Sequence, residues 1–235
     1  MLDRDRLVEI LKLAKAGKLP ADFDEWEIVS KNGYTLAHAF AWNGILPKGF
    51  DRWEMATDDG LTVAHYAAGG GGLPEGFDRW ELASSDGMTV AHMAAFKGVL
   101  PPGFNLWHLR DNDGQTVAHL AATLGTLPDG FEEWGLANKD GATVAHLAAN
   151  AGTLPKGFRY WELANPGGWT VAHEAAFVGK LPPDFDRWDI SDAMGITVAQ
   201  YAAMKEKHPD LFDRMKQKDF MGSLAYIAGL NNPED

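Results

Sequence analysis

Apolar positions along the chain form a block of fixed layout that returns every 27 residues. In Leu100–Thr126 a polar stretch, Asp113-Gly114-Gln115-Thr116, precedes the apolar run Val117-Ala118-His119-Leu120-Ala121-Ala122. Gly114 suits a turn position with positive φ. Thr116 suits a helix N-cap, and Gly125 a C-cap, so the spacing predicts a short helix over Val117–Leu124. Leu127-Pro128 then restarts the chain, with proline where a missing amide hydrogen costs nothing. Phe131 and Trp134 follow at i, i+3 and predict one shared face of a short helix or 3₁₀ turn. After Leu136 the chain is expected to run extended into the next glycine turn.

The step is strict. His38, His65, His92, His119, His146 and His173 share the frame Thr-(Val/Leu)-Ala-His. Trp26, Trp53, Trp80, Trp107, Trp134, Trp161 and Trp188 keep the same interval. A period of this size marks stacked supersecondary units, each too small to bury its own apolar face. A helix this short is marginal alone, so stacking must hold it.

Asp113-Gly114-Gln115-Thr116-Val117-Ala118-His119-Leu120-Ala121-Ala122-Thr123-Leu124-Gly125 resembles the first half of an ankyrin repeat. The glycine, threonine, histidine, paired alanines and closing glycine fall at that family's offsets, and the pattern recurs in seven consecutive copies, with Phe40 for one alanine in the first and Gln200 and Glu206 for the histidine and closing glycine in the last. There are departures. Valine, or Leu36 in the first copy, stands where the family has proline, and alanine where it has leucine. The period is 27 rather than about 33 residues, so the second helix is cut down. Leu-Pro-x-x-Phe-x-x-Trp-x-Leu replaces the usual aliphatic outer helix. The resemblance implies an all-α, ankyrin-like α-solenoid of short helix-turn-helix repeats with helical caps at both ends. It also implies that each histidine braces its turn and links to a neighbouring repeat.

The step fixes the expected boundaries. Residues 1–235 read as a single repeat domain: a capping half-repeat over 1–18, seven repeats over 19–207, and a degenerate C-terminal cap over 208–235. In the first cap Val8, Leu11 and Ala14 fall on the Thr, His and second Ala columns, with Lys and Arg outside. In the last, Pro209, Phe212 and Met215 continue the Pro, Phe and Trp columns. Polar-faced terminal units are what an exposed stack end requires.

Composition narrows the function classes. Hydrophobic residues make up 46% of the chain, enough for a core. There is no cysteine, so disulfides and thiolate metal sites are excluded. A net charge of −12 argues against nucleic acid and fits a basic protein partner or a need for solubility. No apolar run reaches the length of a membrane span and the N-terminal stretch is amphipathic, so a cytoplasmic, soluble protein is expected.

Candidate chemistry resolves into scaffold. Histidines one repeat apart stand about 10 Å from each other, whereas zinc gathers its ligands at about 2 Å. Gln200 replaces histidine in the last full repeat, and an amide keeps a hydrogen-bonding role without being a zinc ligand. The tryptophans, each backed by a phenylalanine, read as the core of the outer layer. Gly69-Gly70-Gly71-Gly72 lacks the Lys-Ser/Thr ending of a phosphate loop and predicts a frayed helix end or a close backbone approach. Asp51, Asp78 and Asp186 precede Arg52, Arg79 and Arg187 and read as local surface pairs. No nucleophile–base pair is present, so no enzyme, metal or cofactor is expected.

Function is expected where the repeat varies. One such column is Tyr34, Leu61, Met88, Gln115, Ala142, Trp169 and Ile196. Two more follow Ala-Ala and include Trp42, Phe96, Leu124 and Phe177. The ankyrin resemblance places these columns on turn tips and on the inner, concave helix face, where partners bind. Aromatic residues and Met are favoured interface anchors. Asp58, Asp59, Asp86, Asp113 and Asp140 add acid at the tips. The expectation is a monomer when free that acts as a protein-protein interaction scaffold. The alternative is an acidic inhibitor or immunity-type protein that neutralises a basic enzyme or toxin; a secreted effector acting on a host protein ranks third.

Overall fold

The computed structural model describes residues 4–20, 23–27 and 31–207. They contain eight α-helices: α1 Arg4–Lys15, α2 Leu36–Trp42, α3 Val63–Gly70, α4 Val90–Lys97, α5 Val117–Leu124, α6 Val144–Ala151, α7 Val171–Val178 and α8 Val198–Lys207. The chain divides into two compact units, Met1–Thr153 and Leu154–Asp235. The division falls at a Leu-Pro that opens a repeat. The proposed cap over 208–235 lies outside the described residues.

Each repeat helix is short, yet its ends are satisfied locally. In the second repeat the Val63 amide donates to Met55 O at 2.9 Å and the Ala64 amide to Trp53 O at 3.2 Å. In α5 the next amide, His119, is 3.3 Å from Thr116 Oγ1. Three of the four amides that a helix start leaves unpaired therefore find acceptors within the repeat. At the other end Gly71 and Gly125 take left-handed conformations, φ 76° and 69°, and close the helix.

The segment from Trp53 to Ala64 is a tight hairpin. The Thr57 amide bonds Leu61 O at 3.0 Å, and Ala56 bridges Thr62 in antiparallel register. In the first unit successive hairpin tips are joined by one backbone bond each. The Asp58 amide donates to Asn32 O, Ser85 to Asp59 O, Asn112 to Asp86 O and Lys139 to Asp113 O, at 2.9–3.1 Å.

The core runs along the helix layer. Val63, Ala64, Ala67 and Ala68 and their counterparts in α4–α6 are almost wholly buried. Alanine lets neighbouring helices approach closely. The six histidines are buried with them, none more than 4% exposed. Outside this layer Phe and Trp rings alternate edge to face. From Phe50 through Trp53, Phe77, Trp80, Phe104, Trp107 and Phe131 to Trp134, centroids lie 5.1–5.9 Å apart. Each such pair adds about 0.5–1.5 kcal/mol beyond area burial. The second unit carries its own series, Phe158, Trp161, Phe185 and Trp188.

Several details differ from expectation. Phe and Trp do share a face, but the segment holding them is 3₁₀-helical only at Glu25–Glu27 among the described residues. Elsewhere it is a chain of turns. Pro47-Lys48-Gly49-Phe50 closes with the Phe50 amide on Pro47 O at 3.1 Å, and Gly49 sits at φ 86°. A positive φ at the third residue makes a turn that cannot propagate as helix. In α1 the buried face is Ile10 and Ala14, while Val8 is 41% exposed. This helix of 12 residues outruns the repeat helices and packs through an i, i+4 pair. The arginines reach past their neighbouring aspartates to a glutamate of the preceding repeat. Arg52 pairs with Glu27 at 3.3 Å, Arg79 with Glu54 at 3.2 Å, and Arg187 with Glu162. These exposed pairs contribute little singly.

Candidate interaction surface

The histidine sets which residues can vary. His65 Nε2 meets Met88 O at 2.9 Å, His92 meets Gln115 O and His119 meets Ala142 O, both at 3.1 Å. In the second unit His173 meets Ile196 O at 3.0 Å. The residue after the turn glycine thus supplies only a backbone carbonyl to the stack. This bond requires no particular side chain there, so Leu61, Met88, Gln115 and Ala142 can differ widely. His38 is the exception in geometry: its Nε2 is buried without a hydrogen-bond partner. Burial pushes His38, His65 and His92 below the usual histidine range, and His119 to about 4. The carbonyls oppose that shift but do not overcome it.

In the first unit the exposed side of α3–α6 carries a row that the variable-column reading left out. Tyr66, Met93, Leu120 and Leu147, each directly after its histidine, are all half-buried. Beside them lie half-buried Tyr34, Leu61, Met88 and Gln115. Trp42, Phe96 and Leu124 are 43%, 39% and 45% exposed. Met93 and Phe96 are one helical turn apart, as are Leu120 and Leu124, so each pair shares a face. The row was missed because it sits inside the Val-Ala-His-x-Ala-Ala frame, yet its variation was visible there.

Trp42 also explains the glycine run. A Cβ on Gly69 would lie 2.8 Å from Trp42 Cζ3 and 3.0 Å from Met93 Cε. One on Gly70 would lie 2.2 Å from Trp42 O. Of the two expectations for this run, the close backbone approach is what the structure has. The indole lies over α3 at a point where no side chain fits.

The tip acids divide into two kinds. Asp58, Asp59, Asp113 and Asp140 are exposed, whereas Asp86 is half-buried. Asp59 accepts the Thr57 hydroxyl and Asp86 the Ser84 hydroxyl, so these two also shape their own turns. A half-buried acid outside the expected set, Asp111, accepts the amides of Asp113 and Gln115 at 2.9 and 2.8 Å. Burial raises its carboxyl despite those bonds.

In the second unit Trp169 and Phe177 are half-buried and join Tyr201. Trp169 lies 4.7 Å from Tyr201 and 6.1 Å from Phe177, and its Nε1 donates to Glu174 Oε2 at 2.9 Å. Among the described residues no group of three or more His, Asp or Glu is placed to hold a metal ion. No helix there is long and apolar enough to cross a membrane.

No family model and no curated protein matches the sequence. Among solved structures the chain is similar to the ankyrin repeat domain of Bcl-3, described as a unique member of the IkappaB protein family. The TM-score is 0.54 at 18% identity, over 73% of this chain and 95% of that one.

Proposed function

We propose that this chain, a stack of shortened repeats with the ankyrin-repeat fold, is a non-enzymatic scaffold for protein-protein interaction. It binds its partner through the exposed side of the helix layer, the concave face of the ankyrin resemblance, and through the hairpin tips. The observation that carries this is the row of half-buried Tyr66, Met93, Leu120 and Leu147 flanked by exposed Trp42, Phe96 and Leu124. Large apolar side chains left in water along one face are the mark of a surface that is covered in use. Exposed Asp58, Asp59, Asp113 and Asp140 lie at the tips, and the net charge is −12. Together these favour a basic protein over nucleic acid.

The test is a double substitution, Phe96→Ser with Leu124→Ser. Both side chains are substantially exposed, so the melting temperature should hold. Partner capture from native lysate should drop at least tenfold. Capture at the original level by a folded variant would remove the surface assignment. The inhibitor reading predicts something further. Asp58→Asn, Asp113→Asn and Asp140→Asn together should slow association and flatten its salt dependence. An unchanged association rate would dispose of that reading and leave the scaffold.

A further inference from the structure

One ring cluster occurs twice, once in each unit, with its members at the same repeat positions. In the first unit Tyr34 stacks on His38 at 5.5 Å, and Tyr66 stands edge-on to both, at 5.2 and 5.0 Å. Trp42 closes the side at 6.5 Å from Tyr66. In the second unit Trp169 lies at 5.5 Å from His173, and Tyr201 stands edge-on to both, at 4.7 and 5.2 Å. Phe177 closes the side. Each second-unit residue is 135 positions beyond its counterpart, five whole repeats. In between, the columns of Tyr34 and Tyr66 hold Leu61, Met88, Gln115, Ala142, Met93, Leu120, Leu147 and Glu174, none of them aromatic, and the column of Trp42 holds a single ring, Phe96.

Each cluster also has a carboxylate, recruited from a different place. In the first unit the hairpin tip that carries Asp59 is tied to the one that leads into Tyr34, the Asp58 amide donating to Asn32 O at 3.0 Å, and the Asp59 charge acts in the same direction on Tyr66 and His38. Burial first, then Tyr34 and Asp59, push the Tyr66 phenol up to about 12, so both tyrosines present neutral rings. In the second unit the position of Asp59 is held by Met194, and Glu174, on the helix itself, stands against Trp169 instead. Ring faces with an adjoining acid suit a planar cation. A guanidinium stacks on aromatic faces and pairs with carboxylate in one pose. An ammonium ion satisfies only the charge.

We propose that each ring cluster receives an arginine side chain of the partner, laid against Tyr34 and Tyr66 beside Asp59 in one unit and against Trp169 and Tyr201 beside Glu174 in the other. The chain thus offers two arginine sites of one chemistry. This rests on the scaffold reading and names what its partner presents.

The probe is N-acetyl-arginine methylamide, titrated into the full chain while the ring resonances of Tyr34, Tyr66, Trp169 and Tyr201 are followed by NMR. The neutral isostere N-acetyl-citrulline methylamide and the lysine analogue serve as controls. Both clusters should respond to arginine about tenfold more tightly than to citrulline. Asp59→Asn should weaken the response several-fold at Tyr34 and Tyr66 only, and Glu174→Gln at Trp169 and Tyr201 only. Both substitutions keep an acceptor for the existing hydrogen bond, so the fold is retained. Equal response to citrulline, a lysine analogue as tight as arginine, or a response at one cluster alone would overturn the proposal. Phe96 and Leu124 lie outside both clusters. Loss of partner capture on their substitution, with no arginine response, would therefore sink this inference and leave the scaffold reading in place.

Discussion

His92 joins two repeats through one ring. Its Nε2 lies 3.1 Å from the Gln115 carbonyl oxygen, and its Nδ1 lies 2.7 Å from Thr89 Oγ1 and 3.2 Å from the Thr89 amide. A carbonyl can only accept, so Nε2 carries the proton. Nδ1 is then the acceptor for the Thr89 amide, and the threonine hydroxyl turns to donate to it. The helix is capped and tied to the next turn by a neutral imidazole. Protonation would set a ring N–H against a backbone N–H that cannot rotate away.

Acid should therefore loosen the stack. His119 has its pKa lowered from 6.5 to about 4, first by burial, with Arg110 and His92 adding to it against the Ala142 carbonyl. Between those values the unfolded chain binds a proton that the folded chain refuses, so stability falls as pH falls from about 6.5 to 4. Below about 4 this residue costs nothing more. The loss from His119 alone is roughly 3 kcal/mol. Urea unfolding from pH 7 to 3.5 checks it, and a flat profile would contradict the neutral strut.

Glutamine should replace this histidine better than alanine does. In α8 Gln200 Oε1 already accepts the Thr197 amide at 2.7 Å, as Nδ1 does elsewhere. His119→Gln should fold and lose the part of the acid sensitivity that His119 contributes, while His38, His65 and His92 keep theirs. His119→Ala leaves the Thr116 amide without its acceptor, at about 1–3 kcal/mol, and removes the tie to the Ala142 carbonyl, which keeps only the Asn138 amide at 3.0 Å. Chemical denaturation of the two variants at pH 7.5 distinguishes them.

The aromatic ladder predicts a contrast between two tryptophans. Trp107 is 8% exposed between Phe104 and Phe131, while Trp188 is 42% exposed. Trp107→Ala should cost about 3–5 kcal/mol. Trp188→Ala should cost under about 2 kcal/mol, because less area leaves water there on folding. Equal losses would show that the ladder is not what stabilises the outer layer.

Two glycines should fail for different reasons. A Cβ on Gly70 meets the Trp42 carbonyl oxygen, so Gly70→Ala must push α2 and α3 apart, at about 1–3 kcal/mol. Gly76 has open space but sits at φ 77°, so Gly76→Ala costs about 1–2 kcal/mol in backbone strain alone. Only the first should alter the fluorescence of Trp42, since only that change moves its surroundings.

Much of this was legible in the chain because the information is local. Thr116, His119 and Gly125 fix a cap, a strut and a stop within ten positions of one another. The step then repeats that solution without new information. The variable columns were legible for the same reason, by comparison of one repeat with the next. The row of Tyr66, Met93, Leu120 and Leu147 was not singled out, since it lies among residues that do not vary.

The sequence by itself determined the period and the helix caps, because a cap depends on contacts a few residues apart and the period repeats it. The tertiary structure decided the rest. It set the proline–tryptophan segment as turns, since Gly49 and its counterparts adopt a positive φ that a helix cannot continue. It sent Arg52 and Arg79 to glutamates of the preceding repeat rather than to the adjacent aspartates. It also gathered Tyr34, Tyr66 and Trp42 around one point. Those outcomes turn on which side chains meet when one repeat is laid on another, and that distance is measured in space, not along the chain.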